Sequence, residues 1–66
     1  MKLKVDKQSD ALYFRLDDSA IVESEEVRPG IILDFDKNGR AIGVEFLGIK
    51  SRVSEKELSS LQFQAG

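Results

Sequence analysis

Cysteine, histidine and tryptophan are absent from this sequence of 66 residues, and proline and tyrosine each occur once. A chain without cysteine or histidine has no disulfide bond, no zinc site of the Cys/His type and no Ser-His or Cys-His catalytic group. Carboxylates, lysines and hydroxyls are the main groups left for chemistry, and so short a chain offers little depth for a catalytic cleft. We therefore expect a protein without enzymatic activity, metal or cofactor.

Long apolar runs and basic clusters are lacking as well. Apolar runs such as residues 30–33 are only four residues long, whereas a membrane-spanning helix needs roughly 20 apolar residues. The residues after Lys4 do not form the apolar segment of a signal peptide. The ten basic and twelve acidic residues are dispersed and give a net charge of -2, which indicates no nucleic-acid-binding patch. The sequence thus predicts a cytoplasmic chain that neither crosses a membrane nor binds nucleic acid directly.

The length of the chain limits how much apolar surface it can bury. Residues 1–66 fit a single small domain. A domain of this size buries only about 60% of the surface that its unfolded chain exposes. We therefore expect a thin core that gains from contact with a partner chain.

Alternating apolar and polar residues predict two β-hairpins. In the first, residues 1–5 and 11–16 are strands joined by a polar turn. In the second, residues 31–35 pair with residues 41–47 across a turn containing Asn38-Gly39, a pair that tolerates left-handed backbone. Residues 20–28 predict an exposed edge strand or an irregular arm, which Pro29-Gly30 ends.

The last third of the chain predicts one short helix, from Glu55 to about Phe63. Ser54 and Glu57 have the spacing of a capping box, and Val53 and Leu58 have the spacing of a hydrophobic staple. Leu58, Leu61 and Ala65 would follow one side of this helix, with Phe63 less well placed. The fold class is therefore α+β and mainly β, an antiparallel sheet of four or five strands built from two hairpins. The short C-terminal helix is expected to pack on one face of that sheet.

One stretch matches the calcium-binding loop of an EF-hand at every specified position. The matching residues are Asp34, Asp36, Asn38, Gly39 and Glu45. An EF-hand also needs a helix on each side, and the Pro29-Gly30 pair leaves no room for the entering helix. A hairpin turn uses the same residue types, because Asp and Asn bond their own backbone and Gly supplies a positive φ. We therefore expect a hairpin here and no calcium site.

The densest acidic region lies between the two hairpins. Its members are Asp17, Asp18, Glu23, Glu25 and Glu26. Carboxylates of this kind could hold a hard cation such as magnesium. They could equally keep an edge strand from pairing with the edges of other chains.

The apolar residues of the strands would cover more of the sheet than one short helix can shield. These residues are Leu3, Val5, Leu12, Phe14, Leu16, Ile31, Leu33, Phe35, Ile42, Val44 and Phe46. We therefore expect a homodimer or a complex with a protein partner. Tyr13 and Ile32, on the opposite face, are candidates for a second contact, and Tyr13 could act there together with Arg15. The residues expected at a partner surface are Tyr13, Arg15, Glu23, Glu25, Glu26 and Ile32.

The order of these segments resembles a known family. Residues 10–16, then 24–27 leading into 29–36, then 39–47 are similar to the family called domain of unknown function 2283, and the similarity covers residues 2–58. The family consists of small prokaryotic proteins, and it supplies no activity or functional residue. Its members often look like accessory proteins encoded beside toxin-like partners, so the resemblance implies an antitoxin-like or other protein-binding role.

Two hypotheses about function follow from the sequence. The first is a small interaction module that meets a basic partner through its acidic segment and an exposed sheet edge. The alternative is a domain that binds a small ligand or a divalent cation through Asp34, Asp36, Asn38 and Glu45, or through the acidic segment.

Overall fold

The computed structural model describes the backbone of residues 1–65 and the side chains of residues 1–61. The elements are β1 (Lys2–Asp6), β2 (Ala11–Arg15), β3 (Glu23–Arg28), β4 (Ile31–Phe35) and β5 (Ala41–Leu47), then a 3-10 turn (Ile49–Ser51) and α1 (Glu55–Ala65). The five strands form one open antiparallel sheet in the order β1-β2-β5-β4-β3, so β5 is central. The mainly β fold with one short C-terminal helix, expected from the sequence, is confirmed.

The first hairpin pairs β1 with β2, from Lys2 opposite Arg15 to Asp6 opposite Ala11. The Asp6 carboxylate accepts hydrogen bonds from the backbone N–H groups of Gln8 and Ser9 in the turn. The bond from the Ser9 backbone is the main cause that lowers the pKa of Asp6 below its ordinary value. This is the turn chemistry that short polar side chains favour.

The second hairpin pairs β4 with β5 and has the bounds predicted from the sequence. Asp36 organises its turn, because its Oδ1 accepts from the backbone N–H groups of Asn38 at 2.9 Å and Arg40 at 3.0 Å. The Arg40 side chain also bonds the Asp36 Oδ2, with Nε at 2.9 Å. Gly39 has a φ of 77°, a conformation that favours glycine. The turn therefore uses Asp36 and Gly39 for local geometry.

Both alternatives that the sequence left open for residues 20–28 occur in the structure. Residues 16–22 form an irregular arm, and β3 follows it as an edge strand that pairs with β4 alone. Pro29 and Gly30 then turn the chain into β4. The Arg52 guanidinium donates to the carbonyls of Leu47 and Pro29, and so ties this turn to the segment after β5.

The helix α1 begins after Ser54, whose Oγ accepts from the backbone N–H of Glu57 at 3.2 Å. This is one of the two hydrogen bonds of the predicted capping box. Leu58 is half-buried, and it lines a groove with Val53, Ile49, Leu12 and other residues at one end of the sheet. The helix extends two residues beyond the predicted end. The predicted positions of the Phe63 and Ala65 side chains lie outside the described residues.

The core is thin, as expected for a chain of this length. Among the described side chains, the buried apolar residues are Ala11, Leu12, Ile42 and Ile49. None of the described side chains falls below 2% exposure. In the described part of the chain, no helix has the length and apolar character needed to cross a membrane.

Candidate protein-interaction site

The two faces of the sheet differ sharply in composition. Residues that pair directly across strands share a face, so the register assigns each side chain to one side. The apolar face consists of Leu3, Val5, Leu12, Phe14, Ile31, Leu33, Val44 and Phe46. The polar face consists of Lys2, Lys4, Tyr13, Arg15, Ser24, Glu26, Ile32, Asp34, Gly43 and Glu45. Leu12 is buried and the other residues of the apolar list are half-buried. Ile42, which alternates with Val44 and Phe46 along β5, is also buried, at 3% exposure.

The apolar face is organised as two rows that run across four adjacent strands. The first row is Val5, Leu12, Phe46 and Ile31. The second row is Leu3, Phe14, Val44 and Leu33, with Glu25 beside it on the edge strand β3.

The helix end of the molecule shields the first row. Leu12 and Phe46 line one groove with Leu58 and Leu61 of α1. Val5 lines a second groove, of about 110 Å³, with Ile49 and Leu58. No member of the second row lines either of these grooves with the described helix residues. All four members of the second row are half-buried, as are Val5, Phe46 and Ile31 of the first row.

A hydrogen-bond network on the polar face links three strands. The Tyr13 hydroxyl on β2 donates to the Asp34 Oδ2 on β4 at 3.0 Å. The Ser24 hydroxyl on β3 donates to the Asp34 Oδ1 at 2.6 Å. Asp34 is only 8% exposed, and both its oxygens are satisfied, as a buried carboxylate requires.

Gly43 of the central strand β5 makes this network possible. A Cβ atom at Gly43 would lie 3.0 Å from both the Tyr13 hydroxyl and the Asp34 Oδ2. The missing side chain leaves the space in which Tyr13 reaches over β5 to Asp34. Burial raises the pKa of Tyr13 above its ordinary value, and the hydrogen bond to Asp34 raises it further.

The six residues expected at a partner surface are divided between the faces. Tyr13 is engaged with Asp34, and the Arg15 guanidinium donates to the carbonyls of Asp17 at 2.7 Å and Ser19 at 2.5 Å. The Glu26 carboxylate accepts from the backbone N–H of Gly30. Tyr13, Arg15 and Glu26 therefore contribute to the fold, whatever else they contact.

The other three predicted residues have different surroundings. Ile32 lies between Glu26 and Glu45 on the polar face. Glu23 and Glu25 are exposed and border the apolar face at its β3 edge, opposite Phe35 and Leu33 respectively. Glu23 and Glu25 thus stand beside the apolar surface, whereas Glu26 lies on the polar face.

Residues 2–50 match the family described as Protein of unknown function (DUF2283). The chain belongs to this family. The match ends earlier than the similarity expected from the sequence, which reached residue 58. No curated protein and no solved structure matches the chain significantly.

In this DUF2283 protein the EF-hand-like residues serve other roles. Asp34 belongs to the polar network, and Asp36 and Asn38 belong to the hairpin turn. Glu45 lies on the polar face between Tyr13 and Ile32. Within the described residues, no three carboxylates lie close enough together to hold a metal ion.

Sequence reasoning missed the Tyr13, Asp34 and Ser24 network in this DUF2283 protein. Its members lie 21 and 10 residues apart along the chain. Gly43 was a usable signal, because a glycine inside a strand often marks a close approach by another group.

Proposed function

We propose that this DUF2283 protein is a non-enzymatic protein-interaction module that docks its partner on the second row of the apolar face. The observation that carries the proposal is that row, in which Leu3, Phe14, Val44 and Leu33 are adjacent and each is half-buried, so that part of every side chain stays in water. Contiguous apolar patches beyond a few hundred Å² are seldom left open on monomeric proteins. A protein surface laid on this row would remove it from water.

The charges beside the row support a protein partner. Glu23 and Glu25 stand at its β3 edge and give the apolar centre an acidic rim. Protein interfaces commonly combine an apolar centre with a polar border. Basic residues on the partner would complement these glutamates and would speed the encounter. An antitoxin-like role, with a toxin-like protein as partner, is one form of this proposal, and it is supported by the family resemblance.

Leu33 and Ile32 provide a test with a matched control, because they are neighbours on β4 and lie on opposite faces. A photoreactive benzoylphenylalanine would be placed at position 33 or at position 32, and the chain expressed in its native host and irradiated. We expect light-dependent adducts with a protein from position 33 only. The mass of the adduct and its peptides would identify the partner, and the antitoxin-like form predicts the product of an adjacent toxin-like gene.

Two outcomes of this experiment would contradict the proposal. No protein adduct from position 33 would mean that the second row faces water in the cell. Equal adducts from positions 33 and 32 would mean that contact is not specific to the apolar face.

A further inference from the structure

Asn38 is the only asparagine of the chain, and it precedes Gly39 in the turn of the second hairpin. Asparagine is a chemically labile residue, and a following glycine has no side chain to hinder attack by its backbone nitrogen. Asn38 and Gly39 are both exposed. Asn38 also lines an open hollow of about 330 Å³ together with Ser19 and Arg40. Water therefore reaches the side-chain amide of Asn38.

Asp36 restrains this labile pair through the hydrogen bonds of the turn. The Gly39 backbone N–H donates to the Asp36 carbonyl at 3.0 Å. The backbone N–H groups of Asn38 and Arg40, on either side of Gly39, both donate to the Asp36 Oδ1, at 2.9 Å and 3.0 Å. The Gly39 nitrogen is therefore held away from other reactions while the turn is closed.

We propose that Asn38 is a site of spontaneous deamidation in the folded protein and that the Asp36 turn sets its rate. When the turn opens, the Gly39 nitrogen forms a bond to the Asn38 Cγ, and the bond between Cγ and Nδ2 breaks. Nδ2 leaves as ammonia, taking up the proton of the Gly39 amide. Water then opens the succinimide ring at either carbonyl, which leaves isoaspartate or aspartate at position 38. This inference goes beyond the proposed function and does not depend on it.

The products would weaken the turn that restrains Asn38. Each product places a new carboxylate near the Asp36 carboxylate, which already accepts from the Asn38 backbone, and like charges at this distance repel. Isoaspartate also adds a methylene group to the backbone between the Cα of position 38 and the Gly39 nitrogen. This displaces the Gly39 N–H from the Asp36 carbonyl, the bond that closes the turn. We therefore expect the modified hairpin to be less stable than the unmodified one.

Incubation of the intact folded chain at physiological temperature tests the reaction. A mildly alkaline pH is used, because the Gly39 nitrogen must lose its proton before it attacks. Mass spectrometry of the protein and its peptides detects the exchange of an amide for an acid, and isoaspartyl methyltransferase labels isoaspartate. We expect both signals to accumulate at position 38, with isoaspartate as the main product.

Asn38→Gln is the matched control for this incubation. It keeps an amide and the following Gly39, but its side chain is one methylene longer and would have to close a larger, less favourable ring. The variant should lose the isoaspartate label and the mass change at position 38. Equal accumulation in the variant would overturn the proposal.

A second comparison tests the role of the turn. The wild type unfolded in guanidinium chloride should deamidate several-fold faster than the folded wild type, because local opening is then no longer required. The folded variant Asp36→Ala should also react several-fold faster than the wild type, since Oδ1 no longer anchors the turn. The measurement on the unfolded wild type decides the point if Asp36→Ala fails to fold.

Two further results would overturn the proposal. The first is a folded wild type that gains no acid at position 38 in a period several times longer than the unfolded chain needs to react. The second is an equal rate in the folded and unfolded wild type, which would mean that the turn does not restrain the Gly39 nitrogen. The photo-adducts at position 33 test the proposed function separately from either result.

Discussion

Tyr13 and Asp34 lie on strands that are not neighbours, and the hydrogen bond between them crosses Gly43 of the central strand. Ser24 extends the connection to the edge strand β3. Strands β2, β4 and β3 are thus joined by side chains as well as by backbone pairing. The polar face is therefore held by its own side-chain hydrogen bonds.

The titration of Tyr13 reports directly on this network. Tyr13 is the only tyrosine, and the chain has no tryptophan, so its ionisation can be followed by ultraviolet absorbance. We expect a pKa above the ordinary 10.0, because burial and the bond to Asp34 disfavour the tyrosinate. Asp34→Asn should lower this pKa. In the wild type, Tyr13 of the unfolded chain loses its proton at a lower pH than Tyr13 of the folded chain. The free energy of unfolding therefore falls as the pH rises above about 10. A tyrosine that titrates at its ordinary pKa would contradict the network.

Gly43→Ala should destabilise the protein, although alanine normally stabilises a strand by roughly 0.5–1 kcal/mol relative to glycine. The new Cβ would lie 3.0 Å from both hydrogen-bonding oxygens. It would separate Tyr13 from the buried Asp34, a loss of about 1–3 kcal/mol in the free energy of unfolding. Urea denaturation measures this change.

Tyr13→Phe supplies the control for Gly43→Ala, because it removes one of the two crowded oxygens. The cost of Gly43→Ala should be smaller in the Tyr13→Phe background than in the wild type. An equal cost in both backgrounds would show that the hydroxyl does not lie over Gly43.

Asp36 should make the second hairpin sensitive to acid. The backbone hydrogen bond from Arg40 is the largest of the causes that hold the pKa of Asp36 below its ordinary value of 3.8. Its contribution to stability is therefore complete above the ordinary pKa and is lost as the pH falls through the lower folded value. Thermal unfolding should show Asp36→Asn less stable than the wild type at neutral pH, with the difference shrinking below about pH 4. A difference that does not depend on pH would contradict this assignment.

Calcium should not bind the EF-hand-like residues, and their amide chemical shifts should stay unchanged when it is added. Asp34 and Asp36 are engaged by the network and the turn, and Glu45 stands on the polar face away from the turn. We expect no concerted amide shift at Asp34, Asp36, Asn38 and Glu45 when micromolar calcium is added in an NMR titration. Saturable shifts at these four positions would support the cation-binding alternative.

Local features of the fold could be predicted from the sequence because their causes are local. Asn38 and Gly39 between two alternating runs indicated the second hairpin, and Ser54 with Glu57 indicated the start of the helix. A broad apolar surface on one face of the sheet could also be predicted, because the sequence has several alternating strands and only one short helix.

The Tyr13 and Asp34 pair depends on strand order, which is not a local property. The two residues meet because β5, although last of the strands in sequence, lies between β2 and β4. The match to an EF-hand was misleading for a related reason. Asp34 and Asp36 lie close in sequence but make different hydrogen bonds. Asp34 accepts from Tyr13 across the sheet, and Asp36 accepts from Arg40 within the turn.

The central claim is that protein covers the second row of the apolar face in the native assembly. Leu33 and Ile32 are both half-buried within one chain, so a difference in the exposure of their methyl groups would come from a bound protein. Relaxation of these methyl signals by a neutral soluble gadolinium chelate measures that exposure in the intact protein. The account predicts strong relaxation at Ile32 and weak relaxation at Leu33 in the assembly purified from the native host. Equal relaxation of the two residues in that assembly would contradict it.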